Sequence, residues 1–325
     1  MEKSYRLGID LGGTHLGVML LDIRQLNQPD HGVLSQKECA TRWWEGYEAV
    51  ADDMCRLAHE CLNEAHVEVS EVLYAGIGSP GVIDSEKGFI LFTSNLKFHH
   101  VPIANALQER LQLPVSLAND ANAAALGEFR LGAARGCKHA AIITLGTGVG
   151  GGVIIDGKML AGFNGGGGEL GHHVIDARGR TCSCGRQGCW EVYSSSHGLL
   201  QTAYEILQDE PASTLWQKTD SFGRLHDCRL IFDAYDAGDR AAHKMIEAYN
   251  HMLGVGVVNI VNLFQPEVLA IGGGLGARCD LYIPYLEAVL QREVYAYKWL
   301  TPTRILPATL GNDAGLFGAA LLRDE

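Results

Sequence analysis

Apolar positions along this chain follow two rhythms. Short runs dense in aliphatic residues, at Leu7–Ile9, Val18–Leu21, Leu73–Ile77, Val115–Ala118, Ala140–Leu145, Val153–Ile155 and Val268–Ile271, predict strands. Longer stretches between them carry helical spacing. Residues 46–65 put Tyr47, Val50, Met54, Leu57, Cys61 and Leu62 on one face. Residues 239–264 do the same with Met245, Ile246, Tyr249, Leu253, Val257, Ile260 and Val261, behind a capping Asp239. Such alternation predicts an α/β protein. A chain of 325 residues also exceeds what one core usually supports, so two domains are expected.

An internal repeat sharpens that expectation. Ile9-Asp10-Leu11-Gly12-Gly13-Thr14, closing at Asp22, matches Ile143-Thr144-Leu145-Gly146-Thr147-Gly148, closing at Asp156. Both read strand, glycine turn, strand. Two such hairpins, each opening an α/β half, suggest related domains facing each other with a nucleotide between them; chance likeness of two glycine turns is the plain alternative.

The first turn can aim successive N–H groups into one concavity suited to phosphate oxygens. Asp10 stands where it could hold Mg²⁺, and Thr14 offers a hydroxyl. Gly146–Gly151 matches G-x-G-x-x-G, but Gly152–Gly157 continues as strand and turn rather than helix, which excludes a dinucleotide fingerprint. No G-x-x-x-x-G-K-[ST] run occurs, so a P-loop kinase is excluded too. A third cluster, Gly272–Gly276, follows a strand, precedes a short helix, and could meet the adenosine or the α-phosphate through Gly273 and Gly274; a structural turn explains it nearly as well.

Cys182, Cys184 and Cys189 place three thiols within eight residues, and His172 lies ten residues earlier. Three thiolates and one imidazole make a closed tetrahedral set for structural zinc, with Gly185 and Gly188 letting the loop bend. By spacing alone His173 rivals His172 as the fourth ligand. Glu169 and Glu191 flank this loop and could accept hydrogen bonds from sugar hydroxyls, or be solvated charges. The run Val115–Asn122 predicts a strand ending in Asn119-Asp120 and then an alanine-rich helix over 121–131. Asp120 there is either a carboxylate that positions a hydroxyl and takes its proton, or the cap of that helix.

Charge narrows the partners. A net charge of −12 leaves no basic surplus for nucleic acid or an anionic membrane, while a small polyanion held by backbone amides is allowed. No secretory signal or membrane-spanning run is expected, and six of nine cysteines are scattered, which predicts a cytoplasmic setting.

Taken together these segments resemble the ROK family (repressor, open reading frame, kinase). The resemblance rests on Asp10–Thr14, Gly78-Ser-Pro-Gly81, Asn119–Asn122, Thr144–Gly152, Glu169-Leu-Gly-His172, Cys182–Glu191 and Gly272–Gly276, in the family's order over nearly the whole chain. It implies an actin-like ATPase (ribonuclease H-like) fold, two α/β domains around a central cleft. The small domain would take residues 1–118 plus a C-terminal helix at 313–325. The large domain, 119–312, would carry the zinc loop and the surface of a homodimer. The resemblance further implies Asp120 as catalytic base, and Gly81, Asn119, Glu169, His172 and Glu191 about the sugar. His172 would bind both zinc and a hydroxyl. Asp10, Gly12, Gly13, Thr14, Gly146, Thr147 and Gly148 would hold Mg-ATP. Gly168, where alanine is commoner, and Ser183, where glycine is usual, depart from the pattern away from any ligand position.

The expected activity is ATP-dependent phosphorylation of a hexose, glucose first, because Ser94–Phe98 ahead of Val101-Pro102 is similar to the glucokinase pattern. N-acetylmannosamine or N-acetylglucosamine is the second choice of substrate. The family's transcriptional repressors carry a DNA-binding domain before the first phosphate strand; that strand begins here by Leu7 and the chain is acidic, so a repressor is not expected.

Overall fold

The computed structural model describes residues 4–323. In its first part the chain forms strands β1 (Tyr5–Leu11), β2 (His15–Asp22) and β3 (Val33–Ala40), then helix α1 (Tyr47–Ala65) and β4 (Val72–Ser79). Strands β5 (Val82–Asp84), β6 (Phe89–Phe92) and β7 (His99–Val101) precede α2 (Ile103–Leu111), β8 (Val115–Asn119) and α3 (Asp120–Arg130). The chain continues through β9 (Ala140–Leu145), β10 (Val149–Ile155), β11 (Lys158–Met159), α4 (Glu191–Ser194), α5 (Ser196–Leu207) and α6 (Arg229–Asp236). It ends with α7 (Arg240–Phe264), β12 (Val268–Gly272), α8 (Cys279–Glu293), β13 (Arg304–Pro307) and α9 (Ala314–Ala320). All seven expected strands are present. So are both long expected helices, and Asp239 caps α7 by accepting from the N–H groups of Ala241 and Ala242.

The repeat seen in the turns extends to topology. One sheet runs β3-β2-β1-β4-β8 and a second runs β11-β10-β9-β12-β13, so the two halves share one strand order. In the first sheet β2 pairs antiparallel with β1 and β3, while β1–β4 and β4–β8 are parallel. The carboxyl ends of β1, β4 and β8 therefore fall together, with Asp10 opposite Gly78 and Ser79 opposite Asn119. That edge of an α/β sheet is where ligands bind. A small antiparallel sheet, β5-β6-β7, follows β4.

The chain divides into two compact units. One takes the chain up to Ile142, Gly151–Gly168 and everything from Ala308; the other takes Ile143–Gly150 and Glu169–Pro307. A large domain beginning at residue 119 would include α3, yet α3 lies in the first unit. The reason is packing: α3 crosses α9 so closely that a side-chain carbon at Gly318 would run into the Ala123 carbonyl oxygen. Residues 1–3 and 324–325, counted in the expected small domain, lie outside the described residues.

The first unit's core joins the inner faces of β1, β2 and β4 to α1 and α2, with Leu7, Ile9, Val18, Leu20, Val50, Met54, Leu57 and Ile77 all essentially inaccessible. In the second unit α7 is the central helix. The fully buried Trp190 donates from Nε1 to Met252 O at 3.1 Å, and Tyr249 donates to Ser194 O at 2.8 Å. These two bonds anchor α4 and its first residue, Glu191, to α7. No helix among the described residues is long and apolar enough to cross a membrane.

Replacing Gly318 with alanine forces the α3–α9 crossing apart. We expect a loss of about 2–4 kcal/mol in urea unfolding; a midpoint within error of wild type would show that the crossing yields without cost.

Candidate functional site

In the first unit the glycine turn between β1 and β2 is closed by the Gly12 N–H, which donates to His15 O at 2.8 Å. Thr41, just past β3 and buried, braces it from behind. Its hydroxyl donates to Gly12 O at 2.8 Å and its N–H to Thr14 O at 3.1 Å. Thr14 itself is exposed, with its hydroxyl 2.9 Å from Nδ1 of His15. Gly13 faces Asn95, and a Cβ added at Gly13 would come into van der Waals range of the Asn95 side chain.

β8 delivers Asn119 and Asp120 to the same end of the sheet. The cap of α3 is Asn119, whose Oδ1 accepts from the N–H groups of Ala121 at 2.9 Å and Asn122 at 3.2 Å. Its Nδ2 donates to the Gly81 carbonyl at 3.2 Å. Gly81 holds φ +98°, and a Cβ there would collide with the Phe92 carbonyl, so glycine is required. With Asn119 as cap, Asp120 is the first helical residue; its Oδ1 accepts from the Ala121 N–H at 2.8 Å.

The carboxyls of Asp10 and Asp120 are both shifted upward. Burial, reinforced by the charge of Asp120, raises Asp10 from its ordinary range to about 6. Burial also raises Asp120, opposed by the N–H of Ala121 and its own N–H. Helix α9 closes the far side of Asp10: a side chain at Gly315 would stand 3.0 Å from Oδ2. Two carboxylates so held suit a cation or a proton-abstracting role.

In the second unit the turn between β9 and β10 is closed by the Gly146 N–H donating to Gly148 O at 3.0 Å, with Thr147 exposed at its tip. The N–H of Ser196 at the start of α5 donates to Gly146 O at 2.8 Å. Gly273, at φ +81°, lies against the backbone of Leu145, and Gly274 beyond it is open. Glu191 accepts from the Val149 N–H at 3.0 Å through Oε2, while its Oε1 lies 3.9 Å from Cys182 Sγ. Glu169 is exposed, directly ahead of the short turn Leu170–His172.

His172, Cys182, Cys184 and Cys189 bring one imidazole nitrogen and three sulfurs within 4.8 Å of one another. Cys184 and Cys189 sulfurs are 3.6 Å apart, and Cys182 Sγ is 3.7 Å from Nδ1 of His172. A tetrahedron with legs of about 2.3 Å has edges of about 3.8 Å, so this donor set fits one four-coordinate cation. The loop is pinched by backbone bonds, Cys182 N–H to Arg186 O at 2.8 Å and Gly185 N–H to Cys182 O at 3.0 Å. Burial and the neighbouring thiols push Cys189 up to about 12, whereas the Arg186 N–H lowers exposed Cys184. The rival imidazole, His173, lies outside the cluster: its Nδ1 meets Leu170 O and its ring packs 5.3 Å from that of Trp190.

Nothing in the sequence singles out Thr41 or Gly315. Neither sits in a motif; each acts on its turn or carboxylate from a distant part of the chain, and no local signal marks them.

Two sheets of one strand order, each opened by a glycine hairpin, define a protein of the actin-like ATPase class. The ROK family model matches residues 6–325, and the chain belongs to the ROK family. It is 35% identical to the glucokinase of Thermotoga maritima over 100% of this chain and 99% of that one. It is 33% identical to the glucokinase of Halalkalibacterium halodurans over 99% and 96%. Among solved structures, a ROK family glucokinase from Streptomyces griseus in complex with glucose and AMPPNP is 32% identical, with a TM-score of 0.78 and 98% of each chain covered.

The raised Asp10 has a measurable consequence. Its native pKa exceeds its ordinary 3.8, so its share of stability is full below about pH 4 and is lost as pH rises through about 6. Asp10→Asn should therefore stabilise the nucleotide-free protein at pH 7.5 by about 1–2 kcal/mol, discounted for partial exposure, and not at pH 4. Denaturant melts in EDTA at both pH values measure this, and equal stability of the two proteins at pH 7.5 would remove the argument.

Proposed function

We propose that this protein is an ATP-dependent hexose kinase that converts glucose to glucose 6-phosphate. The observation that carries the reading is the pair Asp10 and Asp120 at the carboxyl ends of parallel strands, beside a braced glycine turn. Full-length likeness to proteins named glucokinase supports it independently.

In this reading the Asp120 carboxylate accepts the hydrogen bond of the sugar hydroxyl and takes its proton as the oxygen attacks the γ-phosphorus. Burial raises its basicity toward the working pH, which favours that transfer. Asn119, whose Nδ2 keeps a second N–H beyond the one given to Gly81, orients the sugar together with Gly81, Glu169, His172 and Glu191. The N–H groups of Gly13, Thr14, Thr147 and Gly148 meet phosphate oxygens while Gly12 and Gly146 close the turns that present them, the Thr14 and Thr147 hydroxyls add donors, and Gly273 and Gly274 take the adenosine side. Mg²⁺ arriving with ATP would be held through Asp10 and would neutralise charge on the phosphates.

The cluster of His172, Cys182, Cys184 and Cys189 would hold zinc in a structural role. With Nδ1 of His172 turned to the sulfurs, Nε2 remains to donate to a hydroxyl, and metal ligation would fix that tautomer. The reading also takes the enzyme as a cytoplasmic homodimer serving glycolysis, which sedimentation and cell fractionation test.

ATP consumption with glucose, mannose, fructose, N-acetylglucosamine and N-acetylmannosamine tests the activity; glucose should give the highest kcat/KM, and silence on every sugar defeats the kinase reading. Highest turnover on an N-acetylhexosamine would overturn glucose alone. Asp120→Ala should lower kcat about a thousandfold or more while sugar still binds; near-normal turnover would deny Asp120 its role. Cys184→Ser should strip zinc and loosen Glu169 and Glu191, raising KM for the sugar. Metal analysis finding no zinc in the wild-type protein would refute that part.

A further inference from the structure

Glu128 is a buried carboxylate that the reaction scheme leaves unused. It lies in the last turn of α3 and is 1% exposed. Its Oε1 accepts from the N–H groups of Thr309 at 2.9 Å and Leu310 at 2.7 Å. Its Oε2 accepts from the Ala133 N–H at 2.8 Å and lies 3.4 Å from the Thr309 hydroxyl. Hydrogen bonds to a buried charge are the strong ones, and four donors converging from two chain segments leave it little freedom.

The two segments it joins are the ones that hold the reacting end of the sheet. α3 begins with Asp120, eight residues before Glu128 on the same rigid helix. Thr309 and Leu310 lead through a single short turn into α9, where only a glycine at 315 leaves room for the Asp10 carboxylate. Beside Glu128, α3 and α9 cross without room for a side chain: a Cβ at Gly127 would meet the Ala314 carbonyl, and one at Gly318 the Ala123 carbonyl. Glu128 thus adds a polar tie between α3 and the segment leading into α9, next to that crossing.

We infer that Glu128 is a positioning residue for phosphoryl transfer, acting through Asp120 by locking α3 to the segment that leads into α9. The inference rests on the kinase reading above. A misplacement of the order of an ångström at Asp120 is enough to slow the chemical step about a hundredfold while leaving sugar binding alone.

The experiment uses Glu128→Gln and Glu128→Asp in the full-length protein, each alone and combined with Asp120→Asn. Glu128→Gln keeps the shape and the Oε1 acceptor but turns the other acceptor into a donor facing the Ala133 N–H; Glu128→Asp keeps the charge and shortens the reach. We expect kcat per folded molecule to fall about ten- to a hundredfold in both, with KM for the sugar within about twofold. We also expect the acid limb of the kcat–pH profile to move, because the environment of Asp120 changes. In the Asp120→Asn background neither change should lower the residual rate further.

Loss of activity that follows the unfolded fraction, with normal kcat in the folded remainder, overturns the inference. So do effects that multiply with Asp120→Asn, or an unmoved pH profile. Should one variant fail to fold, the other carries the same three readouts. If the wild type phosphorylates no hexose, or Asp120→Asn keeps the full rate, the kinase reading itself falls and takes this inference with it. Normal wild-type turnover with a silent Glu128→Gln sinks the inference alone.

Discussion

Like charges do not gather in a half-buried place unless the surrounding chain compels them, and Asp10 and Asp120 are so compelled. The parallel pairing of β1, β4 and β8 brings their strand ends into line. Asn119 takes over the capping of α3, α9 closes behind Asp10, and Thr41 fixes the turn beyond it. Each contact is ordinary. Their sum is a site whose ground state is electrostatically strained and which a cation or a proton relieves, the kind of arrangement that phosphoryl transfer exploits.

The second unit solves a different problem, that of holding polar groups still on a loop. Residues 169–191 contain little regular structure, yet they are tied at three places: the sulfur and imidazole cluster, the Glu191 to Val149 bond, and Trp190 sunk against α7. A cation in the cluster would supply the rigidity that a helix or strand would otherwise give.

Much of this was legible in the chain. The seven strands, α1, α7 with its Asp239 cap, the two glycine turns and the three clustered thiols all announce themselves through local periodicity or spacing. What stayed hidden depends on contacts distant in sequence. β3 was missed because an edge strand exposes one face to water, and Glu38 and Lys37 break its apolar run. The short strands β5, β6, β7, β11 and β13 are too brief for a period to show. α3 reads as the start of a new domain after a strand, and only its glycine-close crossing with α9, nearly two hundred residues on, places it in the first unit. The same distance concealed Gly315. Spacing cannot separate His172 from His173, since adjacent residues satisfy it equally; only the ring of His172 lies among the three sulfurs, while His173 turns to Leu170 O.

The matched strand order of the two sheets has an evolutionary reading. If a single ancestral half was copied, its hairpin brought an acidic residue twice to the end of a leading strand. In the present chain only the first copy keeps it: where Asp10 stands in one, Thr144 stands in the other. A neutral hydroxyl there leaves the second hairpin without a carboxylate to repel an anion, so on the proposed reading divergence after duplication would have left a cation ligand in one hairpin and donors alone in the other.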